Sequence, residues 1–319
     1  MSEAKKRFDK DLRFRVSGMR LATVSILSTL ILSSQLTLAQ QPNQQVFHSP
    51  EEASAALFAA AQQNDNRALL EILGPAGQQL VSSGDPGEDR KNRDGFLAKY
   101  RQMHRVAKVR DGVMILYIGA ENWPDPIPLV RKNSVWYFDT DAGKEEILAR
   151  RVGRNELATI EVCYQLVDAQ QQHYARSNEG GHQYAPKFSG DNDGQDGLFL
   201  SENGEQPVSP HDALITSAGV ENGTATSHEP VSFNGYYFRI LTSQGKNAEG
   251  GAKSYLVNGK MLSGFAFVAY PAVYRSTGVM TFIVNQNGVV YQKDLGPDTE
   301  KIANAMTEYD PDSTWQRVD

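Results

Sequence analysis

The chain has 319 residues, a net charge of −6 and a single cysteine, Cys163. An acidic protein repels phosphate backbones, because nucleic-acid affinity comes largely from Lys and Arg contacts, so we do not expect nucleic acid as a partner. One cysteine excludes an intramolecular disulfide, so a hydrophobic core must hold the fold together, and this length is sufficient for two ordinary domains.

Residues 1–39 have the pattern of a signal peptide. Seven Lys and Arg residues precede the apolar run Leu21–Leu32, and Thr37–Ala39 resembles the site that a signal peptidase reads. The apolar run is shorter than the roughly 20 residues that span a bilayer, so an uncleaved anchor is the less favoured alternative. Cleavage after Ala39 leaves a chain with a net charge near −10. We therefore expect an exported protein, periplasmic or extracellular, with no stable membrane insertion after cleavage.

The next part of the chain predicts a Gln-rich, disordered leader over residues 40–48 and an N-terminal α+β module over residues 49–143. Ser49-Pro50 forms a helix start, with the serine as N-cap and the proline at the first helical position. Asp111-Gly112 lies between two β-prone segments and predicts a hairpin. Helices followed by a curved antiparallel meander resemble the layout of nuclear transport factor 2-like (NTF2-like) domains.

A charged connector over residues 144–154 leads into a C-terminal module over residues 155–319, and we expect the connector to continue as helix into that module. Asn155 is a plausible N-cap for the helix that follows. Apolar residues then recur at helical spacing and predict a stripe that packs on a sheet: Leu157, Ile160, Tyr164, Val167 and Tyr174. Segments rich in β-branched and aromatic residues follow, so the sequence predicts an α+β protein whose C-terminal helix packs on an antiparallel sheet.

Two family resemblances follow from these segments. The segments AQQQHYA, GYYF, YPAVY and TFIVNQNGVVY, within residues 155–295, are similar to the soluble domains of type IV pilin-like and pseudopilin-like proteins. A true pilin has a long apolar helix directly after its cleavage site, whereas this chain has a signal peptide and another module there. Over nearly all of the mature chain, a second set of segments resembles a family of bacterial exported proteins known as domain of unknown function 2950: SPEEA, LLEILGPAG, SSGDP, PIPLV, WYFDT, RRVGRNEL, GYYFRILTSQG and GVMTFIVNQNGVVYQKDLGP. That resemblance implies no enzymatic mechanism.

An acidic loop supplies the candidate metal site. Asp191, Asp193 and Glu202 fit positions 1, 3 and 12 of a calcium loop of the EF-hand type, where carboxylate oxygens bind the ion. Position 6 of such a loop needs a glycine, but Asp196 stands there. A solvated turn is therefore the favoured interpretation, and calcium is the one cofactor that the sequence indicates.

A second candidate site lies around the expected helix start at Asn155. Arg151, Arg154 and Glu156 flank it, and free amides at a helix N-terminus together with guanidinium groups can hold a carboxylate or another anion. In the alternative that we favour, the arginines pair with acidic residues of the module junction: Asp139, Asp141, Glu145 and Glu146.

Catalytic motifs are not evident in the sequence, which lacks G-x-S-x-G and H-E-x-x-H patterns, and we name no catalytic residue. Ser243 and Lys246 match S-x-x-K in letters, yet they fall in a Gly-rich turn instead of opening a helix. Our leading hypothesis is an exported, non-catalytic protein of the cell envelope that binds a partner protein or a small ligand. The alternatives are a hydrolase with a site between the two modules and a structural component of a secretion or pilus-like assembly.

Overall fold

The computed structural model describes residues 41, 43–82, 84–177, 182–189, 197–199 and 231–318. These residues form a mixed α+β protein, which confirms the predicted fold class. The chain divides into two units, Met1–Asp141 and Ala142–Asp319. In the part of the chain that the structure describes, no helix is both long and apolar enough to cross a membrane.

In the N-terminal unit the helices come first and the strands follow. The elements are α1 Pro50–Gln62, α2 Asn66–Leu73, α3 Gln78–Val81, α4 Pro86–Gln102, β1 His104–Arg110, β2 Val113–Ile118, β3 Trp123–Pro124, β4 Leu129–Lys132 and β5 Val135–Phe138. Ser49 caps α1 as predicted, because its hydroxyl accepts a 3.0 Å bond from the Glu52 amide. The predicted hairpin at Asp111-Gly112 is confirmed as the β1–β2 turn, where Gly112 has a φ of +72°.

The strands of this unit form an antiparallel sheet in the order β1-β2-β4-β5, and β3 pairs with β2 off this path. One face of the sheet packs on α1 and α2 because alternate strand residues are apolar and point the same way. The buried side chains of this core include Ala53, Leu57, Leu69, Ile72, Leu129 and Phe138.

The prediction of a disordered leader over residues 40–48 is wrong for the described residues of that stretch. Phe47 is only 2% exposed, and its backbone exchanges two 2.8 Å hydrogen bonds with Trp136. The side-chain amide of Gln44 donates to the carbonyl oxygens of Ile72 and Phe138 at 3.0 and 2.7 Å. A glutamine-rich segment stays disordered when its side chains have no partners in the fold. Here the Gln44 amide satisfies two buried carbonyl groups from distant parts of the chain, so the segment is ordered.

The C-terminal unit is built on α5 Thr140–Arg176, a single helix of 37 residues. The expected helix start at Asn155 is therefore wrong, and residues 144–154 lie inside α5. Asn155 is bonded instead through its side-chain amide to the carbonyl of Thr277, at 2.8 Å. The connector contains no proline and is rich in Glu, Ala, Leu and Arg, which favour helix, so nothing in it ends the helix.

The strands of this unit follow α5, and one short helix lies among them. They are β6 Lys187–Ser189, β7 Gly197–Phe199, β8 Val231–Phe233, β9 Tyr236–Leu241, β10 Ser243–Gln244, β11 Lys253–Ser254, β12 Leu256–Val257, β13 Lys260–Met261, β14 Ala266–Pro271, β15 Met280–Asn285, β16 Tyr291–Asp294, α6 Thr299–Ala305, β17 Glu308–Tyr309 and β18 Gln316–Arg317. The main sheet has the order β18-β16-β15-β14-β9-β8, with antiparallel neighbours. All six residues of β14 are buried, so both faces of the sheet are covered at its centre.

The predicted apolar stripe of the helix is partly wrong. Leu157 is 57% exposed and Tyr164 is 37% exposed, whereas Val167 is buried. The buried face of α5 recurs at intervals of three and four residues and includes polar side chains: Thr159, Cys163, Leu166, Gln170 and His173. The sequence prediction considered only apolar residues, so it did not identify a buried face that contains polar side chains.

Candidate binding surface

The end of α4 and the beginning of β1 carry three cations that lie over aromatic rings. The Lys99 ammonium is 5.5 Å from the centre of the Trp123 ring, and the Arg105 guanidinium is 4.4 Å from that of Tyr117. A third pair joins Arg101 to the Phe58 ring at 5.6 Å. Pairs of this kind also occur elsewhere in the described chain, but here three cations fall within residues 99–105. The register divides them between two faces of the sheet: Arg105 and Tyr117 project from one, whereas Trp123 lies opposite Ile118, which faces the other way. We use the name cation–aromatic surface for these six side chains, which meet around the edge of the sheet where α4 ends and β1 begins.

The backbone around Gly119 holds this surface in place. The Gly119 amide donates to the carbonyl oxygens of Lys99 and Met103 at 3.1 and 2.9 Å, which ties the end of α4 to the turn after β2. Gly119 has a φ of +79°, a conformation that glycine adopts without strain. The same turn presents Asn122, whose carbonyl oxygen accepts a 2.9 Å bond from Arg105 Nε. Helix end, strand start and turn are therefore fixed to one another.

The strand register explains the closest pair. Arg105 of β1 lies directly opposite Tyr117 of β2, so the two side chains leave the sheet on the same face. On the other face, the His104 ring stacks on the Tyr100 ring with centroids 3.9 Å apart and planes 11° apart. Tyr100 is buried, and its hydroxyl is 3.1 Å from the Ser54 hydroxyl. The Phe58 ring also stacks on Tyr100, with centroids 4.5 Å apart, so Phe58 is held on that face while Arg105 and Tyr117 lie on the other.

Electrostatics separate this region from the rest of the chain. Residues 90–110 contain eight Lys and Arg but only one acidic residue, Asp94, in a chain whose net charge is −6. Among the described residues, no carboxylate forms an ion pair with Lys99, Arg101 or Arg105. Part of this charge protects β1, an edge strand, from pairing with other chains. The cations of the cation–aromatic surface remain available to an anion in addition.

Sequence reasoning missed this surface, although a signal was present. Eight basic residues among 21 form a sharp local reversal of charge. Charge counted over the whole chain concealed that reversal, and counting it in short windows would have found it.

The predicted ligand set around Asn155 is not arranged as expected. Glu156 Oε1 accepts two backbone bonds, from Val279 at 2.9 Å and Met280 at 3.0 Å, so this carboxylate is engaged within the unit. Arg151 and Arg154 are exposed on α5. Because α5 passes through these positions without a break, the free helix amides on which the anion site depended are not present. Anion binding by Arg151, Arg154 and Glu156 stays a prediction.

Arg150 belongs to the same run as Arg151 and Arg154, whose pairing with acidic residues across the module junction was the favoured alternative; the pair that the structure shows for Arg150 lies within α5. Arg150 Nε donates to Glu146 Oε1 at 2.8 Å, one helical turn away. This pair is partly buried and stabilises α5 locally.

The candidate calcium ligands Asp191, Asp193 and Glu202 lie outside the described residues. Within residues 197–199, which follow the acidic loop, Leu198 is buried in the core of the unit. Across the described ranges, no group of three or more His, Cys, Asp or Glu side chains is placed to hold a metal ion.

The S-x-x-K match has no catalytic geometry. Ser243 lies in β10, and its hydroxyl donates to the carbonyl of Thr307 at 3.1 Å. Lys246 is exposed in the turn that follows. Cys163 is also unsuited to nucleophilic chemistry, because burial raises the pKa of its thiol to about 12.

Comparison with known proteins identifies a family for this chain. No curated protein and no solved structure matches the chain. One family model, described as protein of unknown function (DUF2950), matches residues 44–318, which include parts of both units. Since this match covers most of the sequence, the chain belongs to the DUF2950 family.

Proposed function

We propose that the protein is an exported binding protein of the bacterial cell envelope and that its cation–aromatic surface binds an acidic carbohydrate. The observation that carries the proposal is the position of Lys99, Arg101 and Arg105, each over a ring and none in an ion pair with a described carboxylate. The ring limits the motion of each cation, so less side-chain entropy is lost when an anion binds.

The chemistry of the surface matches the two sides of such a ligand. Guanidinium groups bind carboxylates through paired hydrogen bonds, and Arg105 already has its Nε on Asn122, which leaves its terminal nitrogens for a ligand. Trp123 is 47% exposed, so part of its indole lies in solvent beside Lys99 and can contact the C–H groups of a sugar. A nucleic acid is the less favoured ligand because the whole chain is acidic.

Export rests on the sequence, where residues 1–39 have the pattern of a signal peptide. Envelope residence is supported by the resemblance of the C-terminal unit to pilin-like domains, since α5 and the antiparallel sheet share one core. The NTF2-like layout of the N-terminal unit, helices before a meander, supports a ligand-binding role for that unit.

The test measures binding to an acidic and a neutral polysaccharide by calorimetry, using the chain purified after export. Lys99→Gln combined with Arg105→Gln should weaken binding of polygalacturonate by at least tenfold, since each lost cation removes an ion contact. Arg67→Gln is the matched control, because Arg67 is an exposed cation paired with Glu71 on the same unit.

Equal affinity of both variants for polygalacturonate would contradict the proposal, as would equal binding of a neutral dextran. Tighter binding of single-stranded DNA than of any acidic glycan would show instead that the surface recognises nucleic acid. Raising the salt concentration should weaken the specific binding, because the contacts are exposed.

A further inference from the structure

A small hairpin of the C-terminal unit displays aliphatic side chains to solvent. Strands β12 and β13 pair with Leu256 opposite Met261 and Val257 opposite Lys260. Asn258 and Gly259 form the turn, with φ values of +52° and +79°. Positive φ at both central residues is typical of a type I′ turn, whose twist matches that of the two strands it joins. The tip of the hairpin therefore has a defined backbone shape.

Exposed aliphatic residues are concentrated here. Leu256, Val257 and Leu262 are 37%, 42% and 40% exposed, and they make up three of the ten large hydrophobic residues exposed in the described part of the chain. Isolated exposed apolar residues are normal, but here three lie within seven positions. The register puts Val257 on the face of Lys260 and Leu256 on the opposite face with Met261, so the apolar patch is the hairpin tip with both of its faces.

The base of the hairpin is anchored in the core. Tyr255 and Met261 are both fully buried. The Leu262 amide donates to the Tyr255 carbonyl at 3.0 Å, and the Tyr184 amide donates to the Met261 carbonyl at 2.8 Å. The exposed side chains therefore project from a rigid support, and little conformational entropy is lost when they are buried by a partner.

Lysines are frequent in the segment that contains the apolar tip. Residues 246–263 contain Lys246, Lys253 and Lys260, all exposed, against one acidic residue, Glu249. Lys260 is in the tip itself, and the ammonium of Lys253 lies 6.0 Å from the centre of the Tyr255 ring. In an acidic chain, this local positive charge coincides with the apolar patch.

We propose that this hairpin inserts shallowly into the surface of an anionic lipid bilayer. Val257, Leu256 and Leu262 enter the boundary between headgroups and acyl chains, while Lys253 and Lys260 remain at the level of the anionic headgroups. Each lysine near such a surface adds to the attraction, and the aliphatic side chains supply the part of the affinity that salt does not screen.

The size and shape of the tip favour a bilayer over a protein partner. A stable protein interface buries about 800 Å² on each side, far more than a few partly exposed side chains of one two-residue turn provide. A bilayer requires no complementary pocket and accepts a convex tip. The proposal concerns the C-terminal unit and does not depend on carbohydrate binding by the N-terminal unit.

The test uses the exported form of the full protein, with its mass measured to show that residues 1–39 are absent. Co-sedimentation compares vesicles of phosphatidylglycerol mixed with phosphatidylcholine against vesicles of phosphatidylcholine alone. We expect binding to the anionic vesicles and little to the neutral ones. Replacing both Val257 and Leu262 with serine should weaken the binding roughly tenfold, because the variant has less apolar surface to transfer from water into the bilayer.

Val273→Ser provides the matched control, since Val273 is 56% exposed on the same unit but outside the hairpin. A second readout is independent of affinity: in Val257→Trp, the emission of the new indole should shift to shorter wavelength on anionic vesicles and be quenched by brominated lipids. The proposal is overturned if no vesicle is bound, if Val273→Ser weakens binding as much as the hairpin variant, or if the indole emission does not shift.

Discussion

The two units differ in how many aromatic side chains they bury. Nine aromatic residues in the described chain are among its largest fully buried side chains, and seven of them belong to the C-terminal unit: Tyr236, Tyr255, Tyr270, Phe238, Phe265, Phe267 and Phe282. In the N-terminal unit, Trp123 and Tyr117 lie at the surface beneath cations. The difference teaches that one residue class fills the core of the C-terminal unit and, in our proposal, also forms a binding surface on the N-terminal unit. Substitutions should therefore affect folding in the first case and ligand binding in the second.

The largest loss of stability is expected from Gly278→Ala. A Cβ at this position would be 2.0 Å from the Tyr236 hydroxyl oxygen, whose hydroxyl donates to the Met280 carbonyl at 2.9 Å. Moving that buried ring should lower the free energy of unfolding by about 3 kcal/mol, measured by urea denaturation. Gly95→Ala is the control, because nothing lies within 4 Å of its Cβ and Gly95 is inside α4. It should raise stability by up to about 1 kcal/mol, and an equal loss in both variants would contradict the packing argument.

A smaller loss is expected from Glu156→Ala. The amides of Val279 and Met280 would lose their shared acceptor, and the free energy of unfolding should fall by about 2 kcal/mol. Glu161→Ala changes the same residue type at an exposed position of α5 and should have little effect. Glu156→Gln retains a carbonyl oxygen and should recover part of the loss. If the Glu161 variant is as unstable as the Glu156 variant, the carboxylate of Glu156 does not join α5 to β15.

Alkaline pH should destabilise the C-terminal unit through its buried tyrosines. Burial raises the pKa of Tyr255 to about 12, and it also raises the pKa values of Tyr236 and Tyr309. The folded state favours the neutral phenol, so this stability is fully present below the unfolded pKa of 10.0 and is lost as pH rises through the folded pKa. Urea denaturation at about pH 8 and about pH 11 should show the decrease.

Tyr255→Phe separates this effect from general alkaline damage. The variant loses the bond from the Tyr255 hydroxyl to Gln244, so it should be less stable near neutral pH, but its stability should fall less steeply above pH 10. Phenolate absorbance supplies a direct measurement. If all 13 tyrosines of the folded protein ionise together near their ordinary pKa, the buried phenols are not protected.

The smallest effect on stability is expected in the N-terminal unit. Arg105→Gln removes an exposed cation from the Tyr117 ring and should cost about 0.5 kcal/mol or less. The same variant should weaken carbohydrate binding, so stability and affinity would change independently. An Arg105 variant that loses as much stability as Gly278→Ala would show that the cation–aromatic surface is a structural element, and the contrast between the two units would fail.

Local signals in the sequence were reliable where the structure depends on neighbours in the chain. Asp111-Gly112 predicted its hairpin, because a glycine with positive φ decides a two-residue turn on its own. Ser49 predicted the start of α1 for the same reason, since the capping bond reaches only three residues along the chain.

Distant partners explain the errors. Asn155 has the side chain of a cap, but its hydrogen bond goes to Thr277, 122 residues away. Gln44 belongs to a stretch with the composition of a disordered leader, yet its amide finds Phe138, 94 residues away. The exposed Leu157 looked like a core residue because its true environment depends on which face of α5 the sheet covers. The cation–aromatic surface escaped notice because its rings come from segments that only the fold places beside the cations.

The hydrogen bonds between Glu156 and the start of β15 join two segments that are synthesised at different times. The acceptor carboxylate precedes the Val279 amide by 123 residues. At a synthesis rate of about 5–20 residues per second, the helix exists for roughly 6–25 s before its partner strand is made. During that interval the face of α5 that carries Cys163 and Leu166 has no sheet to cover it. A chain that is still being made therefore exposes the apolar residues of this helix face, and whatever shields them until the sheet is made affects how much protein folds instead of aggregating.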